Sequence, residues 1–183
     1  MLTFSIGLIL LFSLAGFLIF VWKNKSSIPV SPIHSFIRPT EVKISLKNIC
    51  HNYLLLRKNT NKPIIAVIKA HAYGCGSLQV VTALEKEGCD WFAVAFLHEA
   101  LVLRKAKIRS NLLILGYTDV NEITAAIKND IVVTVYDENI AKKYSEKAVS
   151  LKKNLRVHVK VKTGMGRLGV FSHQAAPFFR TIK

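Results

Sequence analysis

Apolar residues follow two patterns along this chain. The first is one uninterrupted block, LTFSIGLILLFSLAGFLIFVW (residues 2–22), which holds no Lys, Arg, Asp or Glu. At about 1.5 Å per helical residue such a block reaches roughly 30 Å, the hydrocarbon thickness of a bilayer, so residues 1–22 are expected to form a transmembrane helix. No charged leader precedes it and no small-residue cleavage site follows, which favours an anchor over a cleaved signal peptide. Trp22 marks the boundary, and Lys23 and Lys25 follow at once; that positive flank places the C-terminal side in the cytoplasm. The stretch SSIPVSPIHSFIRP (26–39) carries three of the five prolines and no period. Residues 23–37 are therefore expected as a semi-extended linker, with a folded domain over 38–183.

The second pattern is an alternation. Leu46, Ile49, Cys50, Tyr53, Leu54 and Leu56 recur at helical spacing behind Ser45, a good N-cap, and predict a helix to Lys58. Short runs rich in Val and Ile then alternate with amphipathic stretches. Strands are expected at 63–70, 91–96, 111–116, 131–137 and 155–163, and helices at 78–87, 98–106, 119–128, 138–153 and from Gln174 onward. The strand starts lie 20 to 28 residues apart, the spacing of βα units. Nearly continuous apolar strands between helices argue for an α/β fold with a covered parallel sheet. Two architectures fit: an open doubly wound sheet, or about five units of an eight-unit (β/α) barrel.

Composition narrows the class. Of 183 residues 51% are apolar, and 26 Lys and Arg stand against 11 Asp and Glu, a net charge of +15 carried wholly outside the apolar block. This excludes a disordered tail and a disulfide-built mini-protein. The lysines are spread along helix faces, as in KKYSEK and LKKN, without interleaved aromatics; attraction to an anionic membrane surface follows more directly than nucleic-acid binding. Cys50, Cys75 and Cys89 make no C-x-x-C pair and are expected as reduced thiols. His51, His98, His158 and His173 lack metal-ligand spacing and read as structural or surface residues, with no metal site.

In parallel α/β folds the functional groups gather where the strands end. The first apolar run ends in Lys69, followed by His71, Tyr73, Gly74, Cys75 and Gly76. A strand-end lysine either extends to solvent or, partly desolvated, supplies an amine for Schiff-base chemistry. The fifth run ends in VKVKTGMGRLGV, which places Lys160, Lys162 and Arg167 around Gly164, Gly166 and Gly169. Glycines let backbone amides approach an anion, and the Arg fork suits a carboxylate or an oxyanion; a tight loop is the plainer reading of the same glycines. No phosphate-binding P-loop is present.

The stretches RPTEVKISLKNICHNY (38–53), AVIKAHAYGCGS (66–77), FAVAFLHEALVLR (92–104), LLILGY (112–117) and VHVKVKTGMGRLGV (157–170) resemble, in order and spacing, the N-terminal barrel of bacterial alanine racemases. The resemblance implies a TIM-type barrel and a cofactor, pyridoxal 5′-phosphate, held by Lys69 as an internal aldimine, with Lys69 also one of two acid/base groups in the interconversion of L- and D-alanine. Tyr73 then corresponds to a tyrosine near the cofactor phosphate. Arg167 corresponds to the arginine that bonds the cofactor's phenolic oxygen and supports the substrate carboxylate. Lys160 matches a lysine carbamylated in many members, where it helps to fix that arginine. The second acid/base group would be a tyrosine from the C-terminal domain of a partner subunit, which implies a homodimer or a complementing C-terminal chain. D-alanine supply for peptidoglycan is the implied role, with serine as an alternative substrate.

The chain departs from the family pattern in three places. His71 and Cys75 replace an Asn and a His in K-A-N-A-Y-G-H-G, and Lys162 replaces the Asp of K-V-D-T-G-M-G. The sequence also stops at Lys183, ahead of barrel strands six to eight. A protein that binds the cofactor without racemising, and an inactive relic, are accordingly the competing readings.

Overall fold

The computed structural model describes residues 41–182; the apolar block 2–22 and the linker 23–37 lie outside the described residues. Among the described residues no helix is long and apolar enough to cross a membrane. The elements are α1 (Leu46–Thr60), β1 (Ile65–Val67), α2 (Ser77–Lys86), β2 (Trp91–Val94), α3 (Leu97–Lys105), β3 (Asn111–Ile114), α4 (Ile123–Lys128), β4 (Ile131–Val135), α5 (Glu138–Ser150), β5 (Val157–Val159) and α6 (Ser172–Thr181). Ser45 caps α1 as expected, its Oγ accepting from Asn48 N at 3.3 Å.

The five strands form one sheet in the order β1-β2-β3-β4-β5, and every adjacent pair is parallel. This order separates the two architectures left open by the sequence. A doubly wound sheet reverses direction at a switch point, whereas a barrel adds each new strand on the same side. Curvature agrees. Hydrogen-bonded strands lie about 4.8 Å apart, so in a flat sheet β2 and β5 would be roughly 14 Å apart; yet the rings of Trp91 on β2 and His158 on β5 come within 5.3 Å. The sheet is curled toward that face like the wall of a barrel, five strands wide among the described residues.

Burial follows the alternation along each strand. Phe92, Val94, Leu112, Ile114, Ile131, Val133 and Val135 face the helices and pack with Val81, Leu84, Ala100, Leu103, Ile123 and Tyr144. Ala93, Leu113 and Val132 pack together on the concave face with Trp91 and Leu115. On β1, at one edge, Ile65 and Val67 keep about two-fifths of their surface exposed (40% and 42%). Boundaries moved where backbone pairing ended before the apolar run did. The strand expected over 155–163 is laddered only at Val157–Val159, and Val161 instead forms an isolated bridge to Val170. The helix expected to reach 153 ends at Ser150, because Lys152 turns into the left-handed region at φ +51°.

The helix-to-strand turns are tied together by one side chain. Arg104 donates to the carbonyls of Asn129 (2.8 Å), Ile108 (2.9 Å), Ser110 (2.8 Å) and Asp130 (3.0 Å). At the opposite end the Tyr144 hydroxyl donates to the Thr118 carbonyl, and burial pushes its pKa from 10 up to about 12. The unfolded chain releases this proton near pH 10 and the folded chain only near 12. The stability it contributes is therefore intact below pH 10 and lost as the pH rises toward 12. Denaturant midpoints measured across that window should fall more steeply in the native chain than in Tyr144→Phe, the difference reaching up to about 2 kcal/mol; parallel slopes would remove the assignment.

Candidate functional site

The strands end together on one side of the sheet, and the residues after them build the site. β1 stops at Val67, and Ile68, 2% exposed, tucks into the core while its N–H donates to Ala93 O at 2.8 Å. Lys69 follows, half-buried. The chain then does something the apolar pattern does not announce: Ala70 (φ +50°), His71 (+57°), Ala72 (+54°) and Tyr73 (+55°) form a left-handed helical turn. For L-residues this conformation costs roughly 1–2 kcal/mol each, so the surroundings must hold it.

They do so with main-chain bonds and one carboxylate. Ala72 N donates to Ile68 O at 2.8 Å, Gly74 N to Ala70 O at 3.1 Å and Gly76 N to His71 O at 2.9 Å. Gly74 carries the turn outward at φ +85°. Glu99, in the first turn of α3, receives Ala70 N on Oε1 at 2.7 Å, and Ala95 N and Phe96 N on Oε2 at 2.7 and 3.1 Å. A single half-buried side chain thus accepts three backbone donors from the ends of β1 and β2 and fixes the turn that begins at Lys69. Sequence reasoning missed Glu99; its signal was an acid at the third position of a helix, where it can reach back to the preceding backbone.

At the other edge, Lys160 follows β5 on the concave side, half-buried, and its Nζ donates to Leu115 O at 3.5 Å. The loop after it is closed by a backbone clasp: Lys162 N donates to Val170 O (2.8 Å) and Val170 N to Lys160 O (2.9 Å). Only glycine fits at 169. Its φ is +136°, and a Cβ there would lie 2.9 Å from Lys162 N and 3.0 Å from Val161 C. Arg167 sits on this loop and is exposed. Tyr73 is 66% exposed. No hydrogen bond among the described residues joins Lys69, Tyr73, Lys160 and Arg167 to one another; they share the strand-end side of the sheet.

The replaced residues have local partners. Lys162 places its Nζ 4.3 Å from the Phe171 ring centroid, a cation–π contact. His71 Nδ1 lies 3.5 Å from Ser77 Oγ, and Cys75 is half-buried against the core. His98 stacks on Phe96 and His173 on Phe171, and all three cysteines are free thiols. A cavity of about 370 Å³ lies between the turn, α2 and α3, lined by Ile68, His71, Ser77, His98, Glu99 and Val102 among others. It contains none of the four predicted site residues, so the candidate site is the concave strand-end face. Tyr136, half-buried after β4, adds a phenol there whose pKa is raised by burial and by the neighbouring Tyr117 and Asp137. The donor set is an amine, a guanidinium fork and phenols. Such a set fits a group with an aldehyde carbon and anionic oxygens.

Known proteins resemble this chain in sequence and in fold. The sequence profile described as "Alanine racemase, N-terminal domain" matches residues 44–183. Alanine racemase 1 of Caldanaerobacter subterraneus subsp. tengcongensis is 41% identical over 142 residues, 76% of this chain and 37% of that protein. Alanine racemase of Staphylococcus carnosus is 45% identical over 141 residues, 75% of this chain and 36% of that protein. The structure of an alanine racemase from Clostridium difficile 630 superposes with a TM-score of 0.71 at 36% identity, covering 80% of this chain and 39% of that one. The chain spans less than two-fifths of the length of the curated relatives just named.

Two substitutions test the framework. Glu99→Gln loses an acceptor oxygen and turns an amide toward a backbone N–H; it should cost about 1–3 kcal/mol in denaturant unfolding and speed exchange of the Ala70 and Ala95 amides. Unchanged exchange at those two positions would remove the clamp. Gly169→Ala should cost about 1–3 kcal/mol and release the amides of Lys162 and Val170 to exchange, whereas wild-type protection there would show that the clasp tolerates a Cβ.

Proposed function

The chain belongs to the alanine racemase N-terminal domain family, and on that premise we propose that it carries the cofactor half of a pyridoxal phosphate-dependent racemase acting on alanine, with serine as the alternative substrate. The observation that carries the reading is Lys69 at a strand end, seated at the start of a left-handed turn that Glu99 and the main chain hold in place. Bound there, pyridoxal phosphate would supply a conjugated ring able to accept the electron pair left at the substrate Cα.

The chain's own residues have distinct tasks. Lys69 Nζ would hold the cofactor at its aldehyde carbon, and its amine would take or return the Cα proton on one face. The rigid turn after it limits where that nitrogen can travel. Tyr73 presents its hydroxyl to a phosphate, and Arg167 offers two N–H groups to the cofactor's phenolic oxygen or the substrate carboxylate. Lys160 is the residue proposed to be carbamylated: its amine adds carbon dioxide and releases one proton, and the resulting carboxylate can hold Arg167. Lys162, seated on Phe171, has a partner of its own. Inversion needs a second group on the opposite face, proposed to be a tyrosine from the C-terminal domain of a partner, in a homodimer or a complementing chain. D-alanine supply for peptidoglycan is the corresponding role.

Location belongs to the same proposal. The uncharged block 2–22 anchors the chain in a membrane as a single pass, and Lys23 and Lys25 place the domain from Arg38 onward in the cytoplasm.

The full chain in detergent, mixed with pyridoxal phosphate and reduced with borohydride, should carry a pyridoxyl group on the peptide containing Lys69, and Lys69→Ala should lose it entirely. Label retained by Lys69→Ala would overturn the assignment. Labelling without exchange of the alanine Cα proton into deuterated water would favour the competing reading of a cofactor-binding protein that does not racemise.

A further inference from the structure

Because all five strands are parallel, every helix-to-strand connection lies at one end of the sheet and every strand-to-helix connection at the other. The two ends differ in charge. The strand-to-helix connections, each taken with the first residue of its α-helix, hold four Lys or Arg and four acids; the helix-to-strand connections, each taken with the last residue of its helix, hold nine Lys or Arg and three acids. All nine cations are exposed. The only ion pair at this end among the described residues joins Arg156 to Asp130 at 3.0 Å.

Helix dipoles attract cations to helix C-termini, which accounts for Lys86, Lys105 and Lys128 at the last helical positions. The other six lie beyond the helix ends. Two of them occupy positions that the backbone would sooner give to Gly or Asn: Lys107 and Lys152 adopt φ of +67° and +51°, where the equivalent residues of the other turns are Asn61, Gly88 and Asp130. Cations are thus present at a conformational cost. They also lie near one another: burial lowers the pKa of Arg104, Asp130 opposes that shift, and the charges of Arg109 and Arg156 add to it.

We propose that this nine-cation end docks on the anionic surface of a lipid bilayer, turning the strand-end site with Lys69 away from the membrane. The proposal rests on the membrane-anchor reading of residues 2–22, which would hold the domain within reach of that surface and let weak charge contacts act together. Lipid fits better than nucleic acid because these connections contain no Phe, Tyr or Trp on which bases could stack.

The test reads lysine acylation, mapped by peptide mass, in the full chain reconstituted with vesicles of phosphatidylcholine or of equimolar phosphatidylcholine and phosphatidylglycerol. On the anionic vesicles Lys105, Lys107, Lys128, Lys152 and Lys153 should react roughly threefold or more slowly than on neutral ones. Lys142 and Lys143, on the flank of α5, should not change. Protection should vanish at about 0.5 M salt, where screening acts within about 4 Å. Equal rates on the two lipids, or protection by an added oligonucleotide and not by anionic vesicles, would overturn the proposal. Flotation with neutral vesicles reads the anchor separately. A chain that floats with them and shows no lipid-dependent protection loses the docking face alone. One that fails to float with them, yet is protected on anionic vesicles, loses the anchor alone.

Discussion

At the C-terminal ends of β1 and β2 the ladder runs out, and the N–H groups of Ala70, Ala95 and Phe96 point where no strand can receive them; Glu99 accepts all three. Left unpaired where water is excluded, such a donor costs about 1–3 kcal/mol, which bears most on part-buried Ala95, and the four consecutive L-residues in a left-handed turn add their own cost. The carboxylate therefore does more than cap α3. It joins two neighbouring strand ends and the segment carrying Lys69 into one unit, and the position of that amine depends on it. The same unit explains why a strained turn can persist in a segment with only one buried side chain, Ala72.

The curled sheet distributes the remaining tasks between its two ends. At the helix-to-strand end, Arg104 gathers the turns before β3 and β4 by donating to four of their carbonyls, and exposed cations surround it. At the strand-to-helix end, Lys69 and Lys160 stand on opposite edges of the sheet, the first held by the Glu99 clamp and the second by the clasp that glycine 169 permits. Chemistry at that end needs groups that converge on one ligand. Tyr73 and Arg167 remain exposed at that end.

The three departures from the family pattern fall differently once their neighbours are known. Lys162, which stands where the family pattern has an Asp, rests on the Phe171 ring. His71 lies within the left-handed turn and faces Ser77 rather than the strand-end face, and Cys75 packs against the core. None of the three removes the amine, the phenol or the guanidinium on which the proposed chemistry rests.

Much of this was legible in the residues alone. The alternation of β-branched runs with amphipathic stretches determined five strands and their helices, because a buried parallel strand must be apolar on both faces while its covering helix needs one apolar stripe. Ordered motifs around Lys69, Tyr73, Lys160 and Arg167 identified the family. The choice between an open sheet and a barrel wall was not legible, since both use the same βα spacing; it was decided by the strand order and by the Trp91–His158 contact across the concave face. Nor could the sequence disclose the left-handed turn, which Ala, His, Ala and Tyr disfavour locally and which main-chain bonds and the acceptor of Glu99, 29 residues from Ala70, hold in place. The two-ended charge asymmetry was hidden for a similar reason: its cations are scattered along the chain and become one face only when parallel strands bring every helix-to-strand turn to the same end.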